Sequence, residues 1–410
     1  MSNDNQHIPS GYKSSPLGII PEDWEVKRLG EVCINDGDYG LNAPATDYDE
    51  NLPTYLRITD IDDDGNFNQS DKKSVNSPLS ENYYLKDGDI VFARTGATVG
   101  KTYLYDKNDG ELVYAGFLIK FTPDKEKILP YYLKSQTNTR EYANWVSITS
   151  QRSGQPGINA AEYCSYKFAL PPLAEQKRIC NLLSLWDTAI AKQTTLIEQL
   201  TLRKRGLMQQ LLTGKKRLKG FEGGHFHRLG NYISECNRRN VGCNRVLSVT
   251  NTRGFILQEE QFDKIVASND TSNYKVVCRG EFAYNPSRVN VGSLAMLNDY
   301  DEGILSPMYI VFKANDNINK TYLLQCLQSW WFRGHIPAYT QGSVRDSLSF
   351  DGLCSMKFYI PTLQEQKAIS AILERADKEI EIQKQKLAAM QEQKKGLMQV
   401  LLTGKRRISK

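Results

Sequence analysis

Two stretches decide the architecture: Leu170-Pro171-Pro172-Leu173-Ala174-Glu175-Gln176-Lys177, and Lys204-Arg205-Gly206-Leu207-Met208-Gln209-Gln210-Leu211-Leu212-Thr213-Gly214-Lys215. Both return near the C-terminus, as Pro361-Thr362-Leu363-Gln364-Glu365-Gln366-Lys367 and Lys394-Lys395-Gly396-Leu397-Met398-Gln399-Val400-Leu401-Leu402-Thr403-Gly404-Lys405. Residues 170–218 align with 360–408 at a constant offset of 190, without a gap and with 21 identities in 49 positions. Chance does not produce this, and a repeat on that scale fixes the organisation of the chain before any other signal.

Between its two motifs each copy reads as one long helix. Steps of four and three from Ile179 reach Leu183, Trp186, Ile190, Gln193, Ile197, Leu200, Lys204, Leu207 and Leu211. The same steps from Ile369 reach Leu373, Ala376, Ile380, Gln383, Leu387, Met390, Lys394, Leu397 and Leu401. This is a heptad seam, the pattern of helices that pack side by side. Its polar interruptions, Gln193 and Lys204, recur as Gln383 and Lys394. Buried polar seam residues fix register, so the two helices are expected to pair with each other, antiparallel because the intervening domain returns the chain. Pro171 and Pro361 precede the first turns, and Gly214 and Gly404 stand where the helices stop. About 39 residues give a rod of roughly 58 Å.

The segments ahead of the helices correspond more faintly. Leu29-Gly30 matches Leu229-Gly230; Leu56–Asp60 resembles Leu247–Asn251; Asp87–Phe92 resembles Arg279–Tyr284; Val99-Gly100 recurs as Val291-Gly292 and Lys167-Phe168 as Lys357-Phe358. Short β-branched and aromatic runs bounded by Gly, Asp and Asn predict strands and turns, while Tyr131–Val146 and Tyr322–Phe332 read as helical. The fold class is α+β: two mixed α/β domains separated by two long antiparallel helices forming a coiled coil, with pseudo-two-fold symmetry. Like helices with unlike heads suggest a fixed scaffold carrying two specificities.

At 410 residues the chain is too long for one core. Its 40% hydrophobic and 24% charged residues are those of a soluble globular protein. No run approaches the ~20 apolar residues of a membrane span, and Met1–Ser15 is too polar for a signal peptide. Cys33, Cys164, Cys180, Cys236, Cys243, Cys278, Cys326 and Cys354 form no Cys-x-x-Cys pair, which favours a reduced, cytoplasmic protein without a zinc site. A net charge of +5 barely favours nucleic acid, but Arg203-Lys204-Arg205, Lys215-Lys216-Arg217 and Lys405-Arg406-Arg407 gather at the helix ends.

Catalytic motifs do not hold up. Gly96–Thr102 resembles a phosphate-binding loop but has three residues between its glycines where the motif needs four, and the second half lacks the lysine. Asp60–Gly65 starts like a calcium loop but has Asp71 at the twelfth position and no helical flanks. Asn285-Pro286-Ser287-Arg288 lacks the second Pro and the aromatic of an adenine methyltransferase motif. His7, His225, His227 and His335 form no ligand spacing. No catalytic residue, metal site or bound cofactor is expected on this chain.

The segments Leu170–Lys177 and Lys204–Lys215, with their C-terminal copies Pro361–Lys367 and Lys394–Lys405, resemble the conserved regions of the specificity subunit of type I restriction–modification enzymes. The resemblance covers the whole chain in organisation. It implies an N-terminal tail (1–20), target-recognition domains over 21–169 and 218–359, and spacer helices over 170–217 and 360–410. Each recognition domain would read half of a split, asymmetric site in double-stranded DNA. Two methylation subunits would dock around the helices and bind S-adenosylmethionine, and restriction subunits, where present, would bring ATP and Mg.

Base reading calls for bidentate donors and acceptors on loops, and phosphates for cations. The candidates are Arg94, Lys101, Gln151 and Arg152 in the first half, and Arg253, Arg288, Asn290, Gln341 and Arg345 in the second. Helix pairing falls to Ile179, Leu183, Ile190, Gln193, Leu207 and Leu211 with Ile369, Leu373, Ile380, Gln383, Leu397 and Leu401. Two other readings compete: a coiled-coil protein–protein adaptor that does not bind DNA, and a nucleotide-driven enzyme using Lys101.

Overall fold

The computed structural model describes residues 8–251, 253–261, 270–340 and 347–408. Its helices are α1 (Pro130–Gln136), α2 (Arg140–Thr149), α3 (Ala160–Cys164), α4 (Leu173–Leu211), α5 (Gln258–Gln261), α6 (Lys320–Gln328), α7 (Trp330–His335), α8 (Phe350–Ser355) and α9 (Leu363–Leu402). The chain divides into two compact units, one of residues up to Lys192 with those from Leu387 on, the other Gln193–Lys386. Each unit thus holds one head and half of each long helix.

In the first unit an antiparallel sheet orders Asp38–Tyr39, Leu118–Phe121, Ile90–Ala93 and Thr102–Leu104. The second unit repeats that order with Ile233–Glu235, Ile310–Ala314, Phe282–Tyr284 and Leu294–Met296. The strand that leads into each long helix pairs antiparallel with the first strand of its head, Lys167 opposite Arg28 and Lys357 opposite Arg228. The heads part company in the remaining strands. Thr54–Leu56 lies parallel to Leu112–Tyr114 and, on its other side, antiparallel to Lys73–Ser74. The second head has instead a hairpin, Leu247–Thr250 with Gly254–Leu257, and a separate pair, Lys275–Cys278 with Glu302–Leu305.

The helical expectations need two corrections. Tyr131–Val146 is two helices, α1 and α2, because Thr139 leaves helical geometry and its hydroxyl accepts from Tyr142 N. Tyr322–Phe332 breaks likewise at Ser329, whose hydroxyl caps Phe332 N. A β-region cap that satisfies an orphan amide starts a new helix rather than continuing the old one. The stretch read as an N-terminal tail also has structure: Tyr12–Ser15 and Gly18–Pro21 form a hairpin that delivers Ile20 to the core beside Trp24.

Within the first unit Ile179 and Leu183 of α4 share a core with Leu401, Leu402 and the half-buried Leu397 of α9. Within the second, Leu211 and the half-buried Leu207 share one with Ile369 and Leu373. Ile380 is buried and Ile190 half-buried. Gln193 is buried, and its Nε2 donates to Gln383 Oε1 (2.8 Å) and to Gln383 O (3.2 Å). The lysines of the seam are paired across it as well, Lys204 with Asp377 in the second unit and Lys394 with Asp187 in the first. In each unit the partners descend along one helix as they ascend along the other, so the halves run antiparallel.

Both helices stop at a glycine of positive φ, +71° at Gly214 and +72° at Gly404. Lys216 N bonds Gln210 O and Arg406 N bonds Val400 O, each 3.0 Å, which satisfies carbonyls of the last turn. A Cβ at Gly404 would lie 2.5 Å from Pro21 Cδ, and one at Gly214 2.7 Å from the Tyr359 ring. Gly396, inside the last turns of α9, has open space around it. Gly404→Ala is therefore expected to destabilise the first unit by about 1–3 kcal/mol, whereas Gly396→Ala stabilises by about 0.5–1 kcal/mol. Urea denaturation of the two variants, which should shift the midpoint in opposite directions, checks this.

Candidate nucleic-acid interface

The repeated motif owes its residues to a pair of clamps. Glu175 and Glu365 stand in the first turns of α4 and α9, 2% and 0% exposed. In the first unit Arg407, beyond the end of α9, grips Glu175 through Nη2 (2.5 Å) and Nε (3.1 Å), and the indole of Trp24 donates to the same carboxylate at 3.1 Å. In the second unit Arg217, beyond the end of α4, grips Glu365 through Nη2 (2.6 Å) and Nε (3.0 Å). A buried carboxylate is tolerable when a bidentate guanidinium meets it.

The neighbouring glutamines tie each helix to its head. Gln176 Oε1 accepts from Leu129 N, at the start of α1, while its Nε2 donates to Lys127 O and Pro171 O. Gln366 Oε1 accepts from Asn319 N, at the start of α6, and its Nε2 donates to Pro361 O. Lys177 and Lys367 are exposed.

On this frame the first head assembles two of the loops expected to read DNA. Arg94 follows strand Ile90–Ala93, and its carbonyl accepts from Ile158 N (2.9 Å). Gly96 N donates to Pro156 O (3.0 Å), and Thr95 bridges Gly157. These bonds stitch 94–101 to 150–157. The Arg94 guanidinium lies over the Tyr39 ring, 4.9 Å from its centroid. Gln151 is exposed. Arg152 is bound into its own loop, with Nη2 on both oxygens of Glu162 (2.5 and 2.7 Å) and Nη1 on Thr149 O and Gln151 O.

Lys101 turns the other way. Its amine meets Asp63 Oδ1 at 2.6 Å and holds that carboxyl below its ordinary pKa. Asp63 belongs to an acidic turn closed by Asp62, whose Oδ1 accepts from Asp64 N and Asn66 N. Asp60 is taken up by Arg57. Beneath the turn Lys134 donates to Thr102 O (2.8 Å) and Oγ1 (2.9 Å), and burial pushes its pKa down to about 8.

In the second head Arg288 and Asn290 are exposed on the turn after strand Phe282–Tyr284. Pro286 O accepts from Leu348 N, the counterpart of the tie between Arg94 and Ile158. Next to Asn290, Gly292 packs against Asn251 and Arg333: a Cβ there would be 3.3 Å from Asn251 Cβ and from Arg333 Nη2. Arg253, on the hairpin turn, faces Glu260 at 3.5 Å. Gln341 and Arg345 lie outside the described residues.

Sequence reasoning missed several side chains that share these surfaces. Tyr39 and Phe117 are 43% and 58% exposed beside Arg94, and Arg333 comes from α7. Nothing in a lone sequence marks them, since they reach the surface from other elements. Asp187 and Asp377 are different, because they match each other at the 190-residue offset and could have been paired with the seam lysines.

Comparison with known proteins agrees with the duplicated plan. The family described as the type I restriction modification DNA specificity domain matches residues 21–202 and 259–392. A putative type I restriction enzyme specificity subunit, MjaX, of Methanocaldococcus jannaschii is 26% identical over 435 residues, covering 97% of each chain. The MjaVIII specificity subunit of the same organism is 25% identical, covering 95% of this chain and 94% of that one. Two solved structures share the fold. One, from work on complex assembly and conformational transition of a type I system, gives a TM-score of 0.58 at 18% identity over 94% of this chain and 99% of that one. The other, the type I S subunit from M. genitalium, gives 0.51 at 13% identity over 94% and 97%.

The class is thus that of DNA specificity components. This chain belongs to the type I restriction–modification DNA specificity family, as a specificity subunit. Its role is DNA sequence specificity, and the adaptor reading without DNA binding is set aside.

The Asp63–Lys101 pair is then expected to compete with phosphate for the lysine. Asp63→Asn, assayed in the complex with the methylation subunit, should strengthen DNA binding roughly two- to fivefold at low salt and make the salt slope steeper by about one. Fluorescence anisotropy across a salt series measures both, and an unchanged slope would place Lys101 away from DNA.

Proposed function

We propose that this subunit reads a split, asymmetric site in double-stranded DNA, one half with each recognition domain, across a spacer set by the paired helices. The site residues on this reading are Arg94, Lys101, Gln151 and Arg152 in the first domain. Arg253, Arg288, Asn290, Gln341 and Arg345 serve in the second. The observation that carries the reading is that the frame is duplicated while the heads are not. Each unit repeats the same four-strand order, the same strand pair into the long helix and the same Glu–Arg clamp, and the units differ in the strands around their turns. A scaffold kept alike under two different surfaces suits two different half-sites.

The chain contributes no catalytic group on this reading. Two methylation subunits bind around the helices and supply S-adenosylmethionine and base chemistry, and restriction subunits, where present, supply ATP- and Mg-dependent cleavage. The complex acts in the cytoplasm, on the chromosome. No helix among the described residues is long and apolar enough to cross a membrane.

Methylome sequencing tests this directly, comparing a host that carries the chain and its methylation subunit with one lacking only the chain. One split, asymmetric methylated-adenine motif should disappear. An unchanged methylome with the methylation subunit expressed and active would contradict the proposal.

A further inference from the structure

The second unit contains a cleft of about 1320 Å³ between the last turns of α4 and the head, at the side of α7. Arg205, Gln209 and Lys215 line it from α4 and the turn beyond, and Asn251, Trp330 and Arg333 line it from the head. Its charge is one-sided: among the described residues that line it there are cations and no carboxylate. Lys204 also faces it, but that amine is engaged by Asp377. Arg205, Lys215 and Arg333 are exposed, and Trp330 leaves 81% of its surface in water beside them. An exposed indole next to clustered cations marks a surface built to be covered.

The first unit keeps only part of this chemistry at the corresponding place, where the exposed Lys395 and Lys405 stand for Arg205 and Lys215. On the head side Trp330 corresponds to Arg140, Trp331 to Glu141 and Arg333 to Ala143, and on the helix Gln209 corresponds to Gln399. There Gln399 Nε2 donates to both oxygens of Glu141 (2.7 Å each), and its Oε1 accepts from Arg140 N (3.1 Å). The helix and the head are bridged, with a carboxylate where the second unit has an aromatic ring. The two units thus share the cations of the helix and differ on the head side, where the second has Trp330, Trp331 and Arg333 and the first Arg140, Glu141 and Ala143.

We propose that the cleft of the second unit holds the DNA backbone, with Arg205, Lys215 and Arg333 on phosphates, so that the second half-site is gripped by α4 as well as by the recognition domain. The inference rests on the DNA-reading function proposed above and extends its surface. Continuity supports it: Gly292 packs against Asn251 and Arg333 and adjoins Asn290, so the cleft opens from the turn that carries the candidate base readers. Such contacts position the duplex and carry no sequence information. They would leave the recognised motif intact.

The test uses the full chain in complex with its methylation subunit. Two duplexes are compared, one bearing the motif found in the methylome and one with both half-sites scrambled. Arg205→Ala, Lys215→Ala, Arg333→Ala and the triple variant are titrated across a salt series. Each single change should weaken binding about equally on both duplexes and make the slope of log affinity against log salt shallower by about one. The triple variant should lose about three, with the methylated motif unchanged. Wild-type slopes in the triple variant would overturn the proposal. So would loss of the methylation subunit from the complex, with DNA slopes of the remaining intact complex unchanged, because the cleft would then hold an acidic protein segment. The two readings fail separately: a wild-type complex that does not prefer the motif duplex sinks half-site reading, while the slopes still report on the cleft.

Discussion

Glu175 and Glu365 sit in the first turns of the long helices, almost without exposed surface, and each is met there by a guanidinium. A helix N-terminus favours a carboxylate, but burial alone would cost several kcal/mol. In each unit a guanidinium from beyond the end of the other helix meets that cost with bidentate hydrogen bonds. One contact thereby fixes three things: where one helix begins, where the other has ended, and how the chain leaves it. The adjacent Gln176 or Gln366 then binds the same turn to the head. Helix pairing and head placement are settled by two consecutive side chains.

Duplication of this arrangement explains why the heads are free to diverge. The positions that must be kept are the clamp, the glycine that ends each helix, the strand pair leading into it and the four-stranded sheet. None of them lies on the turns where Arg94, Gln151, Arg288 and Asn290 stand. The second set of strands differs between units in pairing and register, and it changes without disturbing the frame. The strands that differ between the heads are the ones this scaffold does not constrain.

The frame was largely legible in the sequence because it is written twice. The offset of 190 located the helices, and the heptad steps named Ile179, Leu183, Ile369 and Leu373, which are buried. The shared interruption at Gln193 and Gln383 indicated a polar contact that is present. The partners of the seam lysines and of the two glutamates were not picked out, although Asp187, Asp377, Arg217 and Arg407 all repeat. Which charge meets which depends on the antiparallel register, and a repeat shows likeness without contact. The surfaces were less legible. Arg152 offers a free guanidinium in sequence, and only the fold shows its bonds to Glu162 and to two carbonyls of its own loop. Tyr39 and Arg333 come to the site from elements remote in the chain.

On this reading one duplicated frame carries two independent readers. The most direct measurement replaces residues 218–359 with the corresponding segment of another specificity subunit, keeping both long helices, and sequences the methylome of a host bearing the hybrid and the methylation subunit. One half of the methylated motif should change while the other half and the spacer stay as they were. Simultaneous change of both halves, with the hybrid assembled and active, would contradict it.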